Sequence, residues 1–442
     1  MKESRYNIWV GEGPRSYVYN GFSGKVVDLP AGQREQVERF VGGDDAAEVD
    51  PGLIHDLVAG HMIVADDLDE LSVLQRRYEL TRRNPGRFQL TVVTSLGCNF
   101  DCPYCFEAKH PSLLDDEVQR RLLHLVDTKL PSIRTLSVLW YGGEPLVGLP
   151  ALLTLSDELR ARAAAAGVTY SASIITNGYL LSPAVARQLR DRGVRRTQVT
   201  LDGPPEVHDL RRPLAGGRGT FTTILDNVVA AADLLDIAIR VNLDEGNADR
   251  FPELLRILAS AGLAGRVTVY PGQVVAPAAN PGAPSAQVHQ SCLSRPGFAA
   301  IEQRFREMAA DLGFATPELP RPVGAPCTAV RDNELVIGSR GEIYKCTETV
   351  GNPAEVVGNL LDWPRAGDRL SKWLTYDPFA DDECRSCRAL PVCMGGCAFH
   401  AMDARLRDSR CSTFRFRHEE RILHQIRRRH GAAAPATAPL GH

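Results

Sequence analysis

Cys98, Cys102 and Cys105 stand in the run Cys98-Asn99-Phe100-Asp101-Cys102-Pro103-Tyr104-Cys105, directly after the strand-like stretch Thr91-Val92-Val93-Thr94. Three thiolates this close together, on a loop leaving a strand, can hold three corners of a metal site and leave the fourth open. A structural zinc site is closed by four protein ligands, and no fourth ligand lies nearby. Iron–sulfur clusters take thiolate ligands, one per iron in the cubane type, so three cysteines would leave one iron free to bind something else.

Seven further cysteines follow residue 326, in the order Cys327-x13-Gly341-x4-Cys346, a gap, Cys384-x2-Cys387-x5-Cys393-x3-Cys397, a gap, then Cys411. Cys292 lies upstream of them. Disulfides are the plain alternative for so many cysteines. The opening Met1-Lys2-Glu3-Ser4-Arg5 leads into no apolar signal segment, so a reducing, cytoplasmic setting is expected. Clustered C-x2-C and C-x3-C spacings then point to metal. A loop-rich segment with few apolar runs needs such clips to fold.

The chain has 442 residues, 44% hydrophobic and 24% charged, enough for two or three domains with a sizeable core. A net charge of −3 argues against nucleic acid or an anionic membrane as the main partner. No apolar run reaches the length of a membrane span. The stretch Gly431-Ala432-Ala433-Ala434-Pro435-Ala436-Thr437-Ala438-Pro439 is low-complexity and is expected to be disordered.

Between residues 88 and 290, strand-like stretches (Leu90–Ser95, Leu136–Trp140, Ser171–Thr176, Thr197–Leu201, Ala238–Leu243 and Val267–Tyr270) alternate with helical patterns such as Asp116–Lys129 and Thr222–Leu235. That alternation predicts a parallel sheet with helices outside, a barrel or partial barrel whose chemistry sits at the C-terminal ends of the strands. The cysteine loop follows the first strand. Tyr141-Gly142-Gly143-Glu144-Pro145 follows the second, with glycines that let backbone approach a ligand and a carboxylate that can accept from an ammonium group. Thr176-Asn177-Gly178 follows the third, and reads equally as a simple turn. Thr200-Leu201-Asp202-Gly203-Pro204 follows the fourth, leading to His208-Asp209-Leu210-Arg211-Arg212-Pro213 and Gly217-Arg218-Gly219. His208 and Asp209 could suggest a metal, but loop capping is the favoured reading. The fifth strand ends Arg240-Val241-Asn242-Leu243-Asp244.

The C-x3-C-x2-C run with an aromatic before its last cysteine resembles the signature of the radical S-adenosylmethionine (SAM) enzymes. The C-terminal cysteines, with Gly341, resemble the SPASM domain of those that modify peptides and proteins. The resemblance implies an α/β protein: a partial (β/α)6 radical SAM barrel and a C-terminal iron–sulfur SPASM domain. It implies SAM and three [4Fe-4S] clusters. Cys98, Cys102 and Cys105 would hold the catalytic cluster, whose open iron chelates SAM. Cys384, Cys387, Cys393 and Cys411 would hold an outer auxiliary cluster, and Cys327, Cys346 and Cys397 three corners of an inner one. Relatives with a closed inner cluster carry another Cys near position 321, which is Arg here. The fourth inner ligand is then Cys292, substrate, or none.

By the same resemblance Gly142, Gly143, Glu144 and Pro145 form the element that binds the SAM amino group. Asn177 lies near the cofactor, and Thr200 contacts the SAM carboxylate. Arg212, ahead of Arg211 and Arg218, pairs with that carboxylate. Asn242 contacts sugar or adenine, and Tyr104 lies beside the adenine.

Before the barrel, Tyr6–Val10, Ser16–Tyr19 and Gly24–Leu29 read as strands, Gln33–Phe40 and Leu53–Leu57 as helices, and Met62-Ile63-Val64 as a short strand. This resembles a winged-helix-like module that recognises leader peptides; a structural cap is the alternative. Asp44, Asp45, Glu48, Asp50, Asp66, Asp67 and Asp69 make DNA a poor partner.

The expected organisation is therefore a module at residues 1–85, the barrel at 86–290, a bridging helix at 291–320, the auxiliary-cluster domain at 321–428 and a disordered tail at 429–442. The expected activity is reductive cleavage of SAM to a 5′-deoxyadenosyl radical. That radical would abstract hydrogen from a ribosomally made precursor peptide, installing a thioether or carbon–carbon cross-link. A flavodoxin- or ferredoxin-type protein would supply electrons. One rival is an anaerobic sulfatase-maturating enzyme, although that family places Asp directly after the second SPASM cysteine and Thr347 stands here. Another is a non-catalytic iron–sulfur scaffold that binds peptide or carries electrons.

Overall fold

The computed structural model describes residues 1–442 apart from 45, 276–279, 287–290, 317–318, 363–368 and 433–442. At its start β1 (Lys2–Glu3) anticipates β5 across a small antiparallel pair, and β2 (Asn7–Glu12), β3 (Arg15–Asn20) and β4 (Val26–Leu29) form a meander. Gly13, at φ +59°, turns the first hairpin tightly enough to pair Glu12 with Arg15. Then come α1 (Gln33–Val41), α2 (Pro51–Ala59), β5 (Ile63–Val64) and α3 (Glu70–Arg82). The last of these helices was not foreseen. Two of the acids are helix caps: Asp50 accepts from Gly52 N at 2.8 Å, and Asp69 from Leu71 N at 3.1 Å and Ser72 N at 3.2 Å.

The barrel strands are β6 (Arg87–Ser95), β7 (Thr135–Gly142), β8 (Thr169–Thr176), β9 (Val194–Thr200), β10 (Asp236–Leu243) and β11 (Thr268–Gln273). They pair in parallel in chain order. Between them run α4 (Asp116–Lys129), α5 (Leu149–Ala165), α6 (Pro183–Asp191), α7 (Pro205–Arg211), α8 (Phe221–Ala231) and α9 (Phe251–Ser260). α4 buries Val118, Leu122, Leu125 and Val126, the apolar stripe at helical spacing. These pack against the buried strand residues Leu90, Val92, Val138, Trp140, Ile174, Val199, Ile239 and Val241 in one continuous core.

The sheet does not end with the barrel. After α10 (Arg295–Asp311), β12 (Glu334–Ile337) adds in parallel to the free edge of β6, with Leu335 opposite Leu90. β13 (Glu342–Tyr344) and β14 (Gly358–Asn359) extend it antiparallel, completing a nine-stranded sheet. Cys346 stands two residues after the end of β13, so its position is set by the barrel sheet itself.

The remaining helices are α11 (Arg369–Leu374), α12 (Asp382–Ser386), α13 (Leu390–Cys393), α14 (Ala398–Met402) and the long α15 (Phe414–Ala432). The helix therefore runs past residue 429, where a tail was expected, and 433–442 lie outside the described residues. Among the described residues no helix is long and apolar enough to cross a membrane.

The first module and the C-terminal segment share their interiors. Tyr6, Leu74 and Tyr78 pack with Phe379, Leu390 and Met394, and Ile8, Tyr17 and Tyr19 with Val392, Phe414 and Ile422. Tyr19 donates to Pro320 O at 2.7 Å and Tyr78 to Tyr376 O at 2.8 Å. Phe414→Ala should cost about 3–5 kcal/mol by opening a cavity in that shared interior. Deleting 1–85 should abolish cooperative folding of the C-terminal segment. Chemical denaturation checks both, and a truncated chain that melts like the full one would contradict the shared core.

Candidate active site

The C-terminal ends of the barrel strands and the C-terminal segment enclose one cavity of about 560 Å³, within the range of small-molecule sites. The loop after β6 places Cys98, Cys102 and Cys105 on its wall. That loop is tied down by backbone: Asp101 N donates to Pro213 O at 2.9 Å, and Ala215 N to Asn99 O at 2.8 Å. Lys109 Nζ donates to Phe100 O at 2.8 Å. Desolvation by burial pushes the Cys98 thiol up to about 11 and Cys105 up to about 12, with Lys109 opposing in both cases.

The loop can sit there because of two glycines. A Cβ on Gly142, at φ +137°, would stand 2.1 Å from Ser95 O, and one on Gly143 would stand 2.8 Å from Leu96 O. Their first role is thus to admit the cysteine loop's own backbone, although both also line the cavity. Glu144 departs from its expected role. It is fully buried and off the cavity wall. Its Oε1 accepts from Leu146 N at 2.9 Å and Thr176 Oγ1 at 2.7 Å, and its Oε2 from Asn177 N at 2.7 Å. The carboxylate joins the ends of β7 and β8 instead of facing an ammonium group. Pro145 is also off the wall, its carbonyl accepting from Thr94 Oγ1 at 2.8 Å.

Tyr104, Asn177, Thr200, Arg212 and Asn242 all line the cavity. Asn177 Nδ2 donates to Asn99 Oδ1 at 2.7 Å, which ties the third strand's end to the cysteine loop. The Tyr104 hydroxyl donates to Asp202 Oδ2 and accepts from Arg212 Nη1 and from Asn242 Nδ2, the last at 3.3 Å. Arg212 also faces Asp202 at 3.8 Å, and its Nε is buried with no partner. An unpartnered guanidinium N–H on a cavity wall suits a ligand carboxylate. Arg211 pairs with Asp244 at 2.8 Å, and Arg218 is exposed on its loop. Of the three arginines, only Arg212 reaches the wall.

His208 and Asp209 brace the fold. His208 Nδ1 accepts from Asp202 N at 3.1 Å, and Asp209 Oδ1 accepts from Thr220 N at 2.7 Å and Phe221 N at 2.8 Å.

Glu107, Tyr141 and Glu348 also stand on the wall, and none of them has a role expected from the sequence. Glu107 is 4% exposed, and burial pushes its carboxyl up to about 7 against a hydrogen bond from Tyr141. One of its oxygens has no partner. Its place two residues beyond the last cysteine of the loop was the available signal.

In the C-terminal segment Cys384, Cys387, Cys393 and Cys411 surround a second, small cavity. Gly396, at φ +69°, lets the backbone close there: a Cβ would stand 1.9 Å from Arg410 O. Cys327, Cys346 and Cys397 form another neighbourhood. Burial raises each thiol, and the Cys346 thiol is raised further by Glu348, Cys397 and Cys327. Cys393 and Cys397 also line the large cavity. Cys292 is half-buried. Among the described residues no three His, Cys, Asp or Glu side chains converge as they would on a single metal ion. All-thiol sets ringing a cavity instead suit a larger iron–sulfur group.

Residues 92–268 match the model of the Radical SAM superfamily. The serine-type anaerobic sulfatase-maturating enzyme of Klebsiella pneumoniae is 25% identical over 345 residues, which cover 72% of this chain and 83% of that one. The enzyme of the same name from Klebsiella aerogenes is 29% identical over 152 residues, 33% of this chain and 37% of its own length, so this chain spans little more than a third of it. Two solved structures share the fold. Native anSMEcpe with bound AdoMet and Cp18Cys peptide has a TM-score of 0.57 at 18% identity, covering 78% of this chain and 98% of that one. Streptococcus suis SuiB bound to precursor peptide SuiA has a TM-score of 0.52 at 14% identity, covering 93% and 99%. The chain carries a radical SAM domain and is an enzyme; that family uses a [4Fe-4S] cluster and SAM.

Replacing Glu144 with Ala would strand three buried donors. It should cost about 3 kcal/mol or more even without any cofactor, read by denaturation of the iron-free protein. Unchanged stability with lost SAM affinity would restore Glu144 to the cofactor.

Proposed function

We propose that this radical SAM enzyme is a peptide maturase that cross-links a ribosomally made precursor. The observation that carries the reading is the shared cavity, whose wall joins the Cys98–Cys102–Cys105 loop to Cys393 and Cys397 of the C-terminal segment. A site walled on one side by barrel and on the other by a cysteine-rich segment suits a substrate between two redox groups. Cys98, Cys102 and Cys105 would hold the catalytic [4Fe-4S] cluster. Cys384, Cys387, Cys393 and Cys411 would hold an outer auxiliary cluster, and Cys327, Cys346 and Cys397 an inner one. When bound, the catalytic cluster and SAM supply a 5′-deoxyadenosyl radical able to take hydrogen from an unactivated carbon.

The chain's own residues bind and orient. Arg212, braced by Tyr104 and Asp202, is set to pair with the SAM carboxylate through its free Nε. Gly142 and Gly143 bring backbone to the wall, where it would receive the SAM ammonium, and Asn242 and Tyr104 offer polar contacts for the nucleoside. Thr200 and Asn177 complete that side. Burial of the wall keeps water from competing with the substrate for a reactive radical.

Residues 1–85 are proposed to recognise the leader. The SuiB alignment supports this, since it leaves out about 7% of the chain, the complement of 93%, and so must reach into that module. A flavodoxin- or ferredoxin-type protein in the cytoplasm would supply the electron. The Klebsiella relatives favour a second reading, formylglycine formation on a sulfatase. Against it, Thr347 replaces the family's Asp after Cys346, although Glu348 on the same wall brings a carboxyl one residue later.

The anaerobically reconstituted protein should hold roughly twelve irons. Replacing Cys98, Cys102 and Cys105 with Ala should remove about a third of them and all reductive SAM cleavage, read as 5′-deoxyadenosine by chromatography. Cleavage that survives would refute the catalytic assignment. Arg212→Met should weaken SAM binding about tenfold or more, the worth of a charge-assisted bond, with iron content unchanged. Cys292→Ala should leave every cluster spectrum as it was if the inner site is open, while a Cys-containing precursor should shift the inner cluster's signal. A changed spectrum in Cys292→Ala would make that residue the fourth ligand.

A further inference from the structure

The four thiols around the small C-terminal cavity share its wall with one charged side chain, Arg415. Its Nη1 donates to Cys411 Sγ at 3.3 Å and pairs with Glu383 Oε1 at 2.7 Å. The other Glu383 oxygen takes Arg410 Nη2, which also faces Asp381 Oδ2 at 3.4 Å. Asp381 in turn holds Arg407 at 2.5 Å. The Arg410 side chain is 3% exposed, lies within hydrogen-bonding reach of the Cys384 thiol, and lines the large cavity as well.

Two of the four sulfurs thus face guanidinium donors, one of them buried. The network carries three arginines against two carboxylates. Simple folding needs do not call for this: two buried or half-buried guanidiniums aimed at thiols would be a liability unless the sulfurs carry negative charge. Reduction potentials of iron–sulfur clusters are set by net charge, hydrogen bonds to the sulfurs and exposure. Donors and positive charge at a cluster with four thiolates favour the form that holds one more electron.

We propose that Arg415 and Arg410 are tuning residues that raise the reduction potential of the group held by Cys384, Cys387, Cys393 and Cys411, making it the acceptor of the electron released as product forms. This rests on the three-cluster reading above. The step is a one-electron reduction of the [4Fe-4S]2+ form to the 1+ form, with all four thiolates kept. The electron comes from the substrate-centred radical, which loses it, together with one proton from the attacking group, as the new bond closes. Arg410 lines the large cavity and reaches the Cys384 thiol, so positive charge lies between the substrate side and the acceptor.

The test is a dithionite potentiometric titration of the reconstituted holoenzyme followed by electron paramagnetic resonance, with R415Q, R415K and the wild type compared. In R415Q one auxiliary transition should move to lower potential by on the order of tenfold in the reduced-to-oxidised ratio, about 59 mV for one electron. Iron content and the transition lost in the Cys98/Cys102/Cys105→Ala protein should not change. R415K, which keeps the charge, should move less. Wild-type potentials in both variants with iron retained would overturn the proposal, and so would loss of that cluster from both, which makes the arginine structural. If only R415Q loses iron, R415K decides: a downward shift supports tuning and a wild-type potential refutes it. A wild-type protein with about four irons and a single transition would refute the three-cluster reading itself, and the tuning role with it.

Discussion

The closing of the cysteine loop onto the end of β7 is the constraint on which the rest of the site depends. It requires no side chain at Gly142, where a Cβ would meet Ser95 O at 2.1 Å, and little room at Gly143. The buried Glu144 carboxylate then locks that end to β8 through Thr176 and Asn177. Asn177 passes the restraint back to Asn99 on the loop. Three strand ends and the cysteine loop are thereby tied together through the Glu144 carboxylate and the Asn177 side chain. A site that must hold a reactive species needs this preorganisation more than it needs any single contact.

The second constraint is that the wall opposite the barrel is built by the barrel sheet. β12 continues β6, and Cys346 leaves the sheet two residues after β13 ends. Cys346 is therefore not on a tethered domain free to wander. Its distance from the first cysteine loop is set by strand pairing.

Much of this was legible because it has short-range causes. The six barrel strands follow from the alternation of apolar runs, and α4 has the bounds its apolar stripe led one to expect, with Asp115 capping it in the structure. The cavity residues Cys98, Cys102, Cys105, Tyr104, Asn177, Thr200, Arg212 and Asn242 all sit at the C-terminal ends of strands or in the connections that follow them, where a parallel sheet puts its chemistry. What escaped was long-range or depended on where a side chain points. Nothing local says that Glu334–Ile337 pairs with β6, some 240 residues away in the chain. Glu144 carries the right chemistry for an ammonium, and only the fold reveals that neighbouring donors already take it. Arg211 and Arg212 are adjacent in sequence, and the helix end turns one towards Asp244 and the other onto the wall.

The C-terminal cysteine segment also shows how its folding cost is met. Its helices α11 to α14 are four to six residues long, too short to be stable alone. Metal clips were the expected remedy, yet the segment also has apolar side chains, Phe379, Leu390, Met394 and Phe414, that find partners in Tyr6, Tyr19, Leu74 and Tyr78 of the first module. Burial pushes the Cys393 and Cys397 thiols up to about 11, so a metal group bound there would displace protons. The first module thus does two things at once. It supplies the interior that lets the segment hold its shape around those thiols. Its aromatic residues Tyr6, Tyr19 and Tyr78 pack directly on the residues that flank the C-terminal thiols, so a change in the module's packing is felt in that segment.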